Sequence, residues 1–225
     1  MFLNLKTTCF TSIIFMVIFF TMSDTKAQSA FGLKGGGNYN YLGYSFEEGY
    51  GDRFGYTYGG FGLIQLSPVF YLNPELNYTY KSLDLYTPVY LNDVWIDNNV
   101  RLGLNYLDIP LNFGYGGFIE PDENIQNSIP MFFMLYAGPQ FNFLTGQNNS
   151  LVSRFGNTNS TIELSDIDEI RKTDIGLNLG VTLGAANLYV DVRYYLAFSG
   201  MLKYDTEGDA MNTISLTVGY MFVFR

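Results

Sequence analysis

Between Phe70 and Lys81 the residue classes alternate at every step. Phe70, Leu72, Pro74, Leu76, Tyr78 and Tyr80 fall on one side, and Tyr71, Asn73, Glu75, Asn77, Thr79 and Lys81 on the other. Period two over this length is a strand with one apolar and one polar face, and it fits no helix. Seven more stretches read the same way: 31–41, 55–66, 102–116, 131–144, 174–183, 188–198 and 212–224. In 55–66 both faces are apolar, so its phase is ambiguous. In 102–116 the alternation slips by one before Tyr106, which predicts a bulge there. Pro74 removes a ladder hydrogen bond, so a second bulge is expected beside Glu75.

Eight strands is an even count, and each is long enough to cross a bilayer at a tilt. The links alternate in length. Residues 42–54, 84–101, 145–173 and 199–211 are long and polar, whereas 67–69 and 184–187 are tight turns, and 118–130 is an acidic link on the short side. On the apolar faces, Tyr39, Tyr41, Tyr78 and Tyr80 gather toward the long links. Phe70, Phe113, Tyr115, Phe133, Phe222 and Phe224 gather toward the turns. Two aromatic girdles around a band of Leu, Ile and Val suit a lipid-facing surface and have no purpose in a soluble sandwich. The expected fold is an all-β, eight-stranded antiparallel up-and-down transmembrane barrel. Long loops would lie outside, with turns and both termini in the periplasm.

The N-terminus agrees. Lys6, an apolar run from Phe10 to Met22 and Thr25-Lys26-Ala27 read as a secretory signal peptide, with cleavage after Ala27. Residues 1–27 are then signal, and 28–225 the outer-membrane barrel domain. The single cysteine, Cys9, lies within the signal, which leaves the exported part without thiol chemistry or disulfides. A net charge of -9 opposes nucleic-acid binding. After the signal, no apolar run is long enough for a membrane helix.

The chain has no histidine, which removes the usual general base and the commonest metal ligand. No pair of acids stands at a convincing spacing on one strand face, so no catalytic, cofactor or metal site is expected. Polar-face charges are the remaining candidates. An eight-stranded interior is only wide enough for side chains to fill, so charges within it must pair. The expected lumenal network is Lys34, Glu75, Asp108, Asp191 and Arg193, with Lys34 and Glu75 as cross-barrel partners. Lys81 and Asp174 are polar-face charges as well, with a hydrated position near the barrel ends as the alternative. Asp166, Asp168 and Glu169 lack the spacing of a calcium loop and read as a solvated charge run. Tyr86, Tyr90 and Trp95 could form an aromatic contact surface in the second long loop, or could equally pack on the rim. Gly35-Gly36-Gly37 is no phosphate loop, since no helix follows it.

Several of these motifs together resemble the PorT-like outer-membrane β-barrel proteins of Bacteroidetes. They are Gly32-Leu-Lys-Gly-Gly36, Pro74-Glu-Leu-Asn-Tyr78, Leu107-Asp-Ile-Pro-Leu111, Tyr136-Ala-Gly-Pro-Gln140, Asp191-Val-Arg-Tyr194 and Val218-Gly-Tyr220, in that order. The resemblance implies an eight-stranded barrel in the bacterial outer membrane and says little about activity. Its best-known branch is a component of a protein secretion system. Arg225 departs from the aromatic end usual in such barrels. Tyr220, Phe222 and Phe224 still resemble the signal read by the barrel-assembly machinery. The functional expectation is a non-enzymatic structural or partner-binding barrel, in contact with outer-membrane lipid and with a surface or secretion-system protein. The alternative is a small porin-like pore or a ligand-binding or transport barrel.

Overall fold

The computed structural model describes residues 29–42, 50–86, 89–91, 94–119, 129–155, 158–203 and 210–224. For 50–52, 86, 89–91, 94–98, 153–155 and 158–159 it describes the backbone alone. The expected signal peptide, 1–27, lies outside the described residues.

Eleven strands follow in order: β1 Ser29–Leu42, β2 Tyr50–Gln65, β3 Phe70–Tyr86, β4 Val89–Leu91, β5 Val94–Ile119, β6 Met131–Gln147, β7 Asn149–Phe155, β8 Thr158–Leu164, β9 Thr173–Ala185, β10 Leu188–Ala197 and β11 Met211–Phe224. Eight of them, β1, β2, β3, β5, β6, β9, β10 and β11, pair antiparallel with their neighbours in a ring that β3–β5 and β1–β11 pairing closes. Closure matters in lipid, where an unpaired strand edge would leave backbone groups without partners. The fold is therefore a closed eight-stranded antiparallel barrel. The other three strands lie beyond it on the long-link side. β4 folds back on the start of β5, and the β7–β8 hairpin pairs with Asp97–Arg101 of β5. Links 84–101 and 145–173, expected as loops, are thus largely strand. Each of these strands is too short to cross a bilayer.

Alternation places the apolar face outward. Leu33, Leu76, Phe113, Leu135, Leu179, Val192 and Leu216 are exposed, while Lys34, Glu75, Asn112, Tyr136, Asn178, Arg193 and Thr217 are buried. The ambiguous β2 resolves with Phe54, Tyr56 and Tyr58 outward and Thr57 and Leu63 inward. Of two local expectations, one fails and one is found on the neighbouring strand. β3 and β5 keep one register through Asn73↔Asn112, Pro74↔Leu111 and Asn77↔Asp108, so no bulge marks Pro74. Proline does lack the N–H that Gly62 opposite it would accept. Asn73 Nδ2 supplies a donor instead, reaching the Gly62 carbonyl at 2.9 Å from the lumen side. Near Tyr106 the irregularity belongs to β6. Asn105 pairs with Gly146 and Tyr106 with Leu144, leaving Thr145 as the extra residue, while β5 runs unbroken against β3.

Candidate functional site

Three layers fill the lumen. At the end carrying the tight turns, Ala30, Leu63, Tyr71, Phe132, Met134 and Met221 form an apolar floor. At the opposite end, Leu42, Leu83, Leu102, Leu104 and Met211 meet Ile170 and Met201, which come from the links after β8 and β10. Those two links fold inward together. Ile170 and Leu202 form a β-bridge, Lys203 N–H donates to the Glu169 carbonyl at 2.8 Å, and Arg171 N–H donates to the Met201 carbonyl at 2.9 Å. Asp166, Asp168 and Glu169 themselves stay exposed, as a solvated run should, while Ile170 among them turns in.

Between the apolar ends lies the charged layer. Arg193 holds Glu75 with two parallel bonds, Nη1 to Oε2 at 2.9 Å and Nη2 to Oε1 at 2.7 Å. Lys34 Nζ donates to the same carboxylate at 2.6 Å. Asn77 Nδ2 and Asn112 Nδ2 add 2.9 and 3.2 Å bonds, so Glu75 accepts five. Asp191 completes the group, 3.4 Å from Arg193 Nη2 and 3.9 Å from Lys34. It also accepts from Tyr136 Oη at 2.7 Å and Thr182 Oγ1 at 3.0 Å, and Tyr136 Oη in turn accepts from Arg193 Nε at 2.9 Å. Two cations therefore face two carboxylates, a balance that a low-dielectric interior demands. Strand period two brings this about, since 75 and 77, and 191 and 193, share a face on their own strands.

The structure brings Lys34, Glu75, Asp191 and Arg193 together, and it sets Asp108 apart. Asp108 is buried but belongs to no ion pair among the described residues, and its Oδ1 has no hydrogen-bond partner there. It shares a cavity of about 20 Å³ with Lys81 and Thr79. Lys81 is buried, which decides for the polar face of the lumen and against the hydrated alternative. Its ammonium lies 4.6 Å from the Tyr195 ring centre and 5.1 Å from that of Tyr106, and it shares its chamber with Asp108. Asp174 is half-buried and accepts from Tyr195 Oη at 2.6 Å and from Asn142 Nδ2 at 3.1 Å. Tyr136, Tyr195 and Asn112 join this layer without being among the charges that the sequence singles out. The available signal was a long polar or phenolic side chain on a polar strand face, which in so narrow a lumen must reach across it. The side chains of Tyr86, Tyr90 and Trp95 lie outside the described residues, although the backbone pairs Tyr90 with Trp95.

Chemically, the Glu75–Arg193 group fixes its charges against one another, while Asp108 keeps one oxygen without a partner beside the Lys81 chamber. Both oxygens of Glu75 are engaged by cations or amides, and a second lumenal cavity, beside Glu75 and Tyr189, is again about 20 Å³. That is room for a water and too little for a substrate. Among the described residues no group of His, Cys, Asp and Glu could hold a metal ion.

The family described as "Outer membrane protein beta-barrel domain" matches residues 23–203. No curated protein matches the chain. Solved structures similar to it include Ail, the attachment invasion locus protein of Yersinia pestis, in complex with the heparin analogue sucrose octasulfate (13% identity, 88% of this chain and 100% of that one, TM-score 0.37). Neisserial surface protein A gives 13% identity over 89% of this chain and 100% of that one, TM-score 0.37. The outer membrane protease OmpT from Escherichia coli gives 10% over 88% and 96%, TM-score 0.27. Likenesses this distant carry no argument about activity.

Proposed function

This chain belongs to the outer membrane protein beta-barrel domain family, and we propose that within the bacterial outer membrane it is a sealed, non-enzymatic barrel whose work is done at its surface. One observation carries the reading: the lumen is filled from end to end, apolar at both mouths and ion-paired between them. A pore needs a continuous aqueous path, and an eight-stranded interior packed with side chains offers none. An enzyme needs a cavity large enough for substrate beside its reactive group, whereas the lumenal cavities beside Glu75 and Asp108 measure about 20 Å³ each and the chain has no histidine. What remains for recognition is the outer wall and the long links, which β4, β7 and β8 stiffen beyond the barrel.

The long links face the outside of the cell in this reading, with the tight turns and both termini in the periplasm. The Pro74–Tyr78, Leu107–Leu111 and Tyr136–Gln140 motifs support a PorT-like affiliation, and a surface or secretion-system protein is the partner class that affiliation suggests. Because the only cysteine is Cys9, single cysteines can be read without background once the signal is removed. Glu163→Cys, in the β7–β8 hairpin, should react on intact cells with a membrane-impermeant maleimide, and Asn187→Cys, in a tight turn, should not. The reverse labelling pattern would invert the orientation. Co-purification of secretion components after crosslinking in intact cells, lost when 149–164 is deleted, would supply the partner.

A further inference from the structure

The outer wall is not uniform. On β1, β2 and β3, toward the long links, Tyr39, Phe54, Tyr56, Tyr58, Tyr78 and Tyr80 form a continuous aromatic surface, with ring centres 5.2 Å apart for Tyr56 and Tyr80 and 5.3 Å apart for Tyr58–Tyr78 and Tyr39–Phe54. Amphipathic rings of this kind sit at the level of lipid head groups. One step further out on the same wall are Arg53, Asp84 and Arg101.

Their placement follows from the register. Leu83 and Leu85 pack into the lumenal apolar cluster, so Asp84 between them faces outward, and Arg101 is its direct partner on β5. The irregularity in β2–β3 pairing between Asp52 and Tyr56 adds one residue to β2, and from this irregular stretch the Arg53 side chain reaches Asp84. Both guanidiniums then take the same carboxylate, Arg53 through Nη2 and Arg101 through Nε at 3.4 Å. Asp84 lies four residues beyond Tyr80, roughly 10 Å higher along the barrel axis for a tilted strand.

Two guanidiniums carry ten N–H donors between them and share one carboxylate. Arg53 Nε is itself buried, so the donors open to a ligand are those of the guanidinium ends. The side chains remain 36% and 40% exposed, against 15% for Asp84, so the anion is covered and the cations are not. On a chain of net charge -9, this is a local surplus of positive charge fixed on the lipid-facing wall, directly above an aromatic shelf. We infer that Arg53 and Arg101 form a site for the phosphate of an anionic lipid head group. The guanidinium forks take the phosphate oxygens, and the tyrosine shelf carries the part of the lipid next to it. The source is a membrane lipid and not free phosphate, because the shelf offers binding surface only to a ligand with an apolar portion.

The folded full-length barrel in detergent micelles, its fold checked by heat-modifiable gel migration, would be incubated with phosphatidic acid, phosphatidylcholine or inorganic phosphate. Retained lipid would be counted by native mass spectrometry. Phosphatidic acid should be retained over phosphatidylcholine, with about tenfold weaker retention in the Arg53→Gln/Arg101→Gln variant. Retention should be unchanged in Lys172→Gln/Lys203→Gln, which removes the same charge from elsewhere at that end. Asp84→Asn frees both guanidiniums and should strengthen retention, which keeps the test decisive if the double arginine variant fails to fold. Equal retention by the arginine variant overturns the site, as does an equal loss in the lysine variant. Failure of Asp84→Asn to strengthen retention, or displacement of the lipid by inorganic phosphate at the same concentration, overturns it as well.

Discussion

Replacing Glu75 by Gln keeps the shape of the side chain and removes one of two negative charges from the buried group. Lys34 and Arg193 would then share Asp191 alone, from 3.9 and 3.4 Å, in place of contacts at 2.6, 2.7 and 2.9 Å. Removing one partner of a buried ion pair costs about 3–5 kcal/mol, because the other partner stays buried without compensation. Here Asp191 remains, and the Gln oxygen still accepts from one donor, so the lower end applies, about 3 kcal/mol. For a small domain with a urea slope of about 1–3 kcal/mol per molar, the unfolding midpoint in lipid vesicles falls by roughly 1–3 M. Adding Lys34→Met restores charge balance and should recover about half of the loss. A Glu75→Gln midpoint within about 0.3 M of wild type, with unchanged slope, would refute the claim that the charged layer holds the barrel together.

Other expectations are local. Asn73→Ala leaves the Gly62 carbonyl opposite Pro74 without its donor, and should cost about 1–3 kcal/mol in the same urea titration. A Cβ at Gly138 would run into the Leu111 carbonyl and come within 2.6 Å of Asn112 Cα, both backbone. Gly138→Ala should therefore lose at least about 1–3 kcal/mol and lower the heat-modifiable fraction on refolding. Ala186 sits at φ 56° in the tight β9–β10 turn, where a Cβ is strained. Ala186→Gly should raise stability by up to about 1 kcal/mol, read from its unfolding midpoint.

The eight membrane strands were legible because lipid and lumen impose opposite polarity on successive residues. Where the lumen stops being polar, that legibility ends. Phe61 and Leu63 belong to the apolar floor and Leu102 and Leu104 to the apolar cap, so β2 had no readable phase and β5 showed a false slip. Asp191 and Arg193 were visible as a pair through their spacing alone. Asp108 could not be told from them, since polarity gives a face but not a height in the barrel. Height sends Asp108 to the Lys81 chamber and Glu75 to Arg193. Pro74 misled because the compensating donor, Asn73, is a neighbour whose side chain had been assigned only to the lumen. The β7–β8 hairpin was missed because seven-residue strands above the bilayer carry no lipid-facing pattern.

The most direct test of a sealed lumen is single-channel recording of the purified, folded barrel in planar bilayers under applied voltage. The filled interior predicts a silent membrane for the wild-type protein. Stable, reproducible conductance steps would contradict it and make the protein a pore.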